Sequence, residues 1–359
     1  MTNKLGYKGI DFFRIIAAVL VITIHTSPLE LCCPTGDYIL TRVIARTAVP
    51  FFFMTSGFFL LSDGCADIKR LKKFLKKTLL VYLVSILLYL PANVYNGYFS
   101  ADNLFLNILK DIFFDGTFYH LWYLPASALG GAVVFFAVRK AGYGKSLVIF
   151  LFLYIIGLLG DSYYGVISGI APLKAAYDCI FAVFDYTRNG IFFAPLFMLL
   201  GGVVGKKEKK TENSGFSESG SSHGGRLGTD LVCAAVSFGL MLAEALILRN
   251  FNLQRHDSMY VFLVPLMWFL FNILVRFKGK RKKYISGLAL IVYIIHPITI
   301  IAVRGEAKAL GLERLFIDNG IVHFAAVCVC SFAEGIGLLL VREILRKPRG
   351  RHLKSGEKR

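Results

Sequence analysis

The stretch from residue 9 to residue 29, GIDFFRIIAAVLVITIHTSPL, is apolar over the roughly 20 residues that a helix needs to cross a bilayer. It nevertheless contains Arg14 and His25, and an ionisable side chain at the centre of such a helix costs about 2.5 kcal/mol or more. The two residues are eleven positions apart, close to three helical turns, so both side chains lie on one face and roughly 16 Å apart along the axis. This pattern predicts a polar interior that runs through a membrane-embedded helix.

Apolar blocks of similar length recur along the whole chain of 359 residues, of which 56% are hydrophobic. Charged joints and joints containing Gly or Pro separate these blocks, as in proteins with several transmembrane helices. We therefore predict an all-α polytopic membrane protein with about ten transmembrane helices, at 9–29, 38–62, 75–95, 119–138, 146–162, 189–205, 229–248, 258–275, 285–304 and 321–341. The connectors 98–118 and 163–188 are amphipathic, and we expect them to lie in the interface or to fold over the helices.

Lysine and arginine are distributed unevenly among the connectors. With the N-terminus placed inside, 30 of the 41 lie in inside segments, 7 in outside segments and the remaining four within spans. Such a bias is typical of the positive-inside rule, so both termini are predicted to be cytoplasmic in a multi-pass protein of the cell membrane. The net charge of +18 then reflects contact with anionic lipid head groups. No basic groove interleaved with aromatic residues indicates a nucleic-acid partner.

The predicted domain organisation is simple. Residues 1–345 form one membrane-embedded domain, and residues 346–359 form a basic cytoplasmic tail. Within the domain, the cytoplasmic linker 206–228 has the composition of a flexible loop. Gly57, in the second span, is predicted to let two helices approach closely. Nothing in the sequence indicates an oligomeric state.

The predicted topology gathers most of the polar residues of the spans in the outer half of the bilayer. Arg42 and Arg46 lie one turn apart on one face of the second span. The residues of the outer half are His25, Arg42, Arg46, His120, Arg188, Glu244 and His296. Arg14 lies near the inner end, so the polar face of the first span reaches both sides.

Each of these residues also has a purely structural interpretation. The head group of Arg14 can extend to the interface, and a histidine such as His25 can be hydrogen-bonded between helices. His120 can be an ordinary interfacial residue, and His296 before Pro297 can mark a kink. For the arginines of the second span, the candidate ion-pair partners are Glu30, Asp37 and Glu244.

Three motifs together resemble the acyltransferase-3 family of integral-membrane acyltransferases. They are Arg14-x10-His25, the segment RTAVPFFFMTSGFF from Arg46, and HLWYL from His120, with YIIHP around His296 in support. The similarity runs from about residue 8 to residue 345. The segments DFFRIIAAVLVITIHTSP and TRNGIFFAPLFMLLG are most similar to the membrane half of vancomycin-resistance serine racemases. Those proteins continue into a soluble racemase domain, and we expect no racemase chemistry from the present residues, which end at Arg359 in the basic tail.

The resemblance implies transfer of an acyl group, commonly acetyl, from a cytoplasmic acyl-CoA to a hydroxyl of an extracytoplasmic or cell-envelope acceptor. A hydroxyl is a poor nucleophile, and an imidazole has a reference pKa of about 6.5, so His25 is predicted to be the general base. Arg42 or Arg46 is predicted to stabilise the oxyanion, and Arg14 to hold the phosphate or the pantetheine arm of the donor. The further substrate-binding candidates are His120, Arg188, His296 and Glu244. We predict no bound cofactor and no metal.

A transporter is the alternative hypothesis. The same polar interior suits the passage of serine or another small zwitterion, without any bond being made. The sequence leaves this choice open, together with the identity of the acceptor and of the acyl chain.

Overall fold

A computed structural model describes residues 5–63, 67–100, 102–213, 220–280 and 283–346. Within these ranges the regular structure is almost entirely helical, which confirms the predicted all-α class. A small sheet pairs β1 (Leu5–Tyr7) with β2 (Lys278–Lys280) in antiparallel register. The helices are α1 (Lys8–Thr26), α2 (Pro34–Arg42), α3 (Ala48–Leu61), α4 (Ile68–Tyr95), α5 (Leu104–Lys110), α6 (Tyr123–Gly160), α7 (Tyr164–Ser168), α8 (Ala171–Val183), α9 (Ala194–Asn213), α10 (Gly220–Asn250), α11 (Leu263–Arg276), α12 (Lys283–Ala309), α13 (Glu313–Phe316) and α14 (Gly320–Arg346).

The described helices can make about ten passes if the bend in α6 and two shorter helices are counted with the long ones. Seven helical segments are long and apolar enough to cross a membrane, with α2 and α3 counted as one segment. One of them, α6, is interrupted at Gly142 by a φ of 75° and a ψ of 173°, and it passes twice. The apolar half of α9 and the 14 residues of α11 add two shorter passes. Both of these are largely buried among other helices, so they need not span the full thickness of the lipid.

Contacts between connectors define the two ends of the helix bundle. At one end the hydroxyl of Tyr143 donates to the carbonyl of Leu61 at 2.7 Å, and the ammonium of Lys206 lies 4.7 Å from the centroid of the Tyr143 ring. We call this the basic end, because it carries Lys8, Arg70, Lys206, Lys209 and Lys278. At the other end the hydroxyl of Tyr38 donates to Gln254 at 2.9 Å. We call this the site end.

The first helix occupies the middle of the bundle. It lies against α3, α11, α12 and α14. Ala18 and Ile22 of α1 are buried in a hydrophobic cluster with Val292 of α12 and Val327 of α14. Because protein surrounds much of α1, its polar residues can face a protein interior instead of lipid.

Helices α3 and α9 pack backbone against backbone. A Cβ atom on Gly57 would lie 1.8 Å from the carbonyl oxygen of Met198, and one on Gly201 would lie 1.9 Å from that of Met54. Glycine at both positions therefore permits a close approach, which in lipid provides the van der Waals contact that holds helices together. The predicted role of Gly57 is confirmed.

The linker 206–228 differs from the flexible loop that its composition indicates. Helix α9 continues to Asn213 and α10 begins at Gly220, while residues 214–219 lie outside the described ranges. The ammonium of Lys278 lies 2.8 Å from Glu208, and Lys209 pairs with Asp63, so tertiary ion pairs anchor the polar turns of α9. Of the predicted tail 346–359, all but the first residue lies outside the described ranges.

Candidate active site

A cavity of about 320 Å³ opens at the site end of the bundle. Of the predicted site residues, His25, Arg42, Arg46 and Arg188 line it. The cavity also has an acidic group of residues that the sequence analysis did not single out, namely Asp111, Asp115 and Asp185. The structure thus brings one imidazole, three guanidiniums and three carboxylates to a single opening.

The two arginines of the second span share one carboxylate. Helix α2 ends at Arg42, and the chain makes a 3₁₀ turn over Ile44–Thr47 before α3 begins. Arg46 forms an ion pair with Asp257, and the Nε of Arg42 lies 3.4 Å from the other oxygen of the same carboxylate. Burial acts to raise the pKa of Asp257, but the nearby arginines outweigh it and hold that pKa below its ordinary value.

Asp257 was missed because the sequence analysis considered only acidic residues in or beside the first spans and in the seventh. It lies far along the chain, in the connector between α10 and α11. The run Arg255-His256-Asp257-Ser258 is a local concentration of polar residues between two spans, and this was the available signal. Polar runs of this kind in a connector are ordinarily solvent-exposed surface.

Arg188 is positioned from three sides. Its Nη1 donates to the hydroxyl of Ser258 at 2.9 Å, and its guanidinium lies 4.2 Å and 5.2 Å from the ring centroids of Tyr186 and Trp122. The backbone N–H of Ser258 in turn donates to Asp161 at 2.7 Å, and Asp161 is fully buried. This chain of contacts fixes the guanidinium at the cavity, where it can bind an anionic group.

The three histidines cluster, but they are not equivalent. The ring of His25 lies 4.8 Å from that of Tyr119 and 5.2 Å from that of His296, which is 5.3 Å from that of His120. Only His25 of these three lines the cavity, while His120 and His296 are 2% and 0% exposed. The structure therefore places the latter two as buried neighbours of His25, outside the cavity lining.

The side chain of His296 replaces a backbone hydrogen bond that Pro297 cannot make within α12. Pro297 has no N–H to donate to the carbonyl of Tyr293 one turn earlier. The Nδ1 of His296 lies 2.8 Å from that carbonyl oxygen, so Nδ1 carries the proton and donates it there. The structural interpretation of His296 at a proline site is thereby supported.

Glu244 caps a helix. Its carboxylate accepts hydrogen bonds from the hydroxyl of Tyr163 at 2.8 Å and from the backbone N–H groups of Val261 and Phe262 at 2.7 Å and 3.1 Å. These N–H groups precede Leu263, the first residue of α11, and a helix leaves such donors unpaired. The arrangement gives Glu244 a structural role at the start of α11, and Glu244 does not line the cavity.

Arg14 lies away from the cavity, towards the basic end of α1. Its Nη1 is 2.5 Å from the carboxylate of Asp11, one turn earlier on the same helix, and its guanidinium is 6.0 Å from the centroid of the Phe59 ring. Asp11 is buried, so the pair forms a charged site within the protein. The sequence analysis did not name Asp11, although its i, i+3 spacing from Arg14 was visible.

The acidic group is built from two connectors. Asp111 and Asp115 lie in a π-helical turn that follows α5, and Asp185 follows α8. The hydroxyl of Tyr98 donates to Asp111, and Lys110 pairs with Asp185, both at 2.5 Å. Burial, with a smaller contribution from the charge of Asp185, raises the pKa of Asp115 to about 6.

Comparison with known proteins agrees with the resemblance of the motifs. The acyltransferase-3 family, described as an acyltransferase domain, matches residues 7–339. An amino-acid racemase of Enterococcus faecalis is 44% identical over 357 residues, which cover 98% of this chain and 48% of the relative. A second amino-acid racemase of that species is 38% identical over 345 residues, which cover 94% of this chain and 47% of the relative. A serine/alanine racemase of Enterococcus gallinarum is 33% identical over 330 residues, which cover 90% of this chain and 45% of the relative.

The chain spans about half the length of these curated relatives, and their names describe the whole proteins. No solved structure matches it significantly. The family match covers nearly all of the helical bundle, including both ends of α1 and the residues that line the cavity. The chain is thus a member of the acyltransferase-3 family of membrane proteins.

Proposed function

We propose that this protein is a membrane-bound O-acyltransferase that moves an acyl group, acetyl in the simplest case, from a cytoplasmic acyl-CoA to a hydroxyl of an extracytoplasmic or cell-envelope acceptor. The observation that carries the proposal is the cavity in which His25 meets Arg42, Arg46 and Arg188. In this proposal the protein lies in the cell membrane with both termini in the cytoplasm, so the site end faces outward. The uneven distribution of lysine and arginine supports that orientation.

His25 is the proposed general base. Its ring lines the cavity at the end of α1, where it can take the proton of an acceptor hydroxyl as that oxygen attacks the thioester carbon. A C–O bond forms, the C–S bond breaks, and His25 returns the proton to the departing thiolate. The rings of Tyr119 and His296 pack against His25 and restrict its orientation.

The arginines supply the positive charge that the oxyanion of the tetrahedral intermediate requires. Arg46 is held by its ion pair with Asp257, and its side chain is 9% exposed. A fixed charge in a partly desolvated site stabilises a developing negative charge without reorganisation. Arg42, less buried and farther from Asp257, is the second candidate for this role.

Arg14 is proposed to act on the donor. It lies roughly 16 Å from His25 along α1, towards the basic end where a cytoplasmic acyl-CoA would enter. Its guanidinium can hold a phosphate or polar groups of the pantetheine arm, and Asp11 fixes its position. The donor is then a substrate that extends from the basic end towards the cavity.

The transporter alternative is not favoured. The family match is to an acyltransferase domain, and no described contact singles out a path for serine. The racemase names of the relatives belong to proteins about twice as long as this chain.

Purified full-length protein in proteoliposomes, supplied with labelled acetyl-CoA on the side of the basic end, tests the proposal. The label should appear in a hydroxyl compound on the other side. His25→Ala should lower the rate by about 100-fold or more, the usual contribution of a general base. His323→Gln is the matched control, because His323 is buried outside the cavity.

Normal transfer by His25→Ala would exclude His25 as the base. Accumulation of labelled serine without any donor, and without any acylated product, would favour the transporter instead. Thermal unfolding of each variant shows whether a loss of activity reflects a loss of folding.

A further inference from the structure

The acidic group of the cavity has no part in the transfer steps described above. One carboxylate oxygen from each of Asp111, Asp115 and Asp185 lies within 4.8 Å of the other two. Charges of the same sign repel at this separation, and the burial of Asp115 strengthens the repulsion that its carboxylate experiences. Lys110 offsets the charge of Asp185, and the donor, itself an anion, adds no further positive charge.

One oxygen of this group lacks a hydrogen-bond partner among the described residues. The Oδ2 of Asp115 accepts the backbone N–H of Asp185 at 2.9 Å, whereas its Oδ1 is buried and has no hydrogen-bond partner. The residue is only 7% exposed, yet it lines the cavity. Buried carboxylate oxygens are nearly always hydrogen-bonded, so an unpaired one in a cavity indicates a ligand that donates hydrogen bonds.

We propose that the acceptor is a hydroxyl compound that carries a protonated amine, and that its ammonium binds among Asp111, Asp115 and Asp185. The proposal rests on the acyl transfer proposed above. It narrows the acceptor from any hydroxyl compound to an amino alcohol or an amino sugar, free or at the end of a larger molecule.

An ammonium fits this group better than a divalent metal ion does. Lys110 already places one ammonium 2.5 Å from Asp185, which shows that the chemistry of the group suits such a donor. Arg42, Arg46 and Arg188 line the same cavity, so the doubled attraction of a divalent ion to the carboxylates is accompanied by a doubled repulsion from these arginines. An ammonium also offers three N–H donors, which can be shared among three carboxylates.

The same cavity can hold both the amine and the hydroxyl of one acceptor molecule. Its volume of about 320 Å³ admits a single sugar or a smaller molecule. An acceptor anchored by its ammonium therefore keeps its neighbouring hydroxyl within the space that His25 also lines. Holding a reactant in this way is a large part of how a site accelerates transfer.

Matched pairs of acceptors test this inference. Glucosamine is compared with glucose, and ethanolamine with ethylene glycol, using the full-length protein in proteoliposomes and labelled acetyl-CoA. We expect kcat/KM to favour the aminated member of each pair by about tenfold or more, as the loss of a charge-assisted hydrogen bond predicts. Asp115→Asn and Asp185→Asn should remove the preference for the aminated member of each pair.

Asp178→Asn is the control variant. Asp178 pairs with Lys174 on exposed α8 and does not line the cavity, so the preference should remain. Asp185 is 54% exposed in its side chain, so Asp185→Asn keeps the test valid if Asp115→Asn fails to fold. Thermal unfolding in the presence of each acceptor measures binding independently of transfer.

The outcomes separate this inference from the proposed function. Equal use of both members of each pair, unchanged in the Asp variants, would overturn the inference and leave acyl transfer standing. Stabilisation by the aminated compounds alone, lost in Asp115→Asn and without transfer, would support the site and overturn the acyl transfer. Stimulation of neutral acceptors by Mg²⁺ or Ca²⁺, lost in Asp115→Asn, would identify a metal site and overturn the ammonium site.

Discussion

Two aspartates of the site end have opposite electrostatic surroundings. Asp257 lies against Arg46 and Arg42, which hold its pKa below the ordinary value, whereas burial raises the pKa of Asp115 to about 6. The first carboxylate stabilises the charged cavity, and the second adds an energetic cost to the folded state. Their effects on stability should therefore change with pH in opposite directions.

Asp257→Ala should destabilise the protein at neutral pH by about 2 kcal/mol or more, because it leaves two guanidiniums without their counter-charge. The folded-state pKa of Asp257 is depressed, so its contribution is complete above the unfolded pKa of about 4 and is lost as the pH falls through the folded value. Thermal unfolding in detergent at several pH values measures this. Asp178→Ala is the control, and an equal loss for that variant would contradict the assignment.

In contrast to Asp257→Ala, Asp115→Asn should stabilise the folded protein when no acceptor is bound. Between the unfolded pKa of about 4 and the folded pKa of about 6, the folded state binds more protons, so stability falls as the pH rises. Removing the charge should then stabilise the protein by about 2 kcal/mol above this window, and by much less below it. The titratable and charged groups that face Asp115 are Asp111, Asp185 and Lys110, and the cavity adds His25, Arg42, Arg46 and Arg188.

The same unfolding measurements at both ends of the pH window decide this prediction. A constant difference between Asp115→Asn and the wild-type protein would show that burial of the charge is not the cause. Asp185 is more exposed, and Asp185→Asn should therefore change the pH dependence less.

At the scale of elements, the contact between α3 and α9 holds the second span at its position beside α1. Gly57→Ala and Gly201→Ala each place a methyl group within 2 Å of a backbone carbonyl, where no side-chain rotation can relieve the clash. We expect a loss of about 3 kcal/mol or more in the free energy of unfolding, at the upper end of the range for overpacking. Thermal unfolding in detergent measures this loss.

Gly239→Ala is the matched control for these substitutions. Gly239 lies inside α10, where a Cβ atom would meet nothing within 4 Å. Alanine has the higher helix propensity, so this variant should be as stable as the wild-type protein or slightly more stable. Equal behaviour of the three variants would contradict a backbone contact between α3 and α9.

At the scale of the whole molecule, the proposed orientation places three exposed cysteines on the outer side of the membrane. Cys32, Cys33 and Cys179 are exposed, and they lie between α1 and α2 or on α8, towards the site end. A membrane-impermeant maleimide should therefore label intact cells, because these three residues face outward. The triple substitution of Cys32, Cys33 and Cys179 by Ser should abolish that labelling. Labelling of the wild-type protein at these cysteines only after permeabilisation would reverse the orientation.

The sequence determined the class of the protein. Apolar blocks of spanning length cannot remain in water, and the bilayer thickness sets how long each must be. It also predicted that Arg14 and His25 share a face of α1, because helical periodicity is local. These results needed no knowledge of which helix neighbours which.

Only the tertiary structure decided how the site is assembled. The sequence could not show that Asp257 would meet Arg46 from more than 200 residues away, that Glu244 would cap α11, or that the polar turns of α9 would be anchored at Lys278. Nor could it show that Asp111, Asp115 and Asp185 converge, because acidic residues in connectors resemble solvated surface. Ion pairs and buried carboxylates depend on distances in space, whereas hydrophobic length and helical period are properties of adjacent residues.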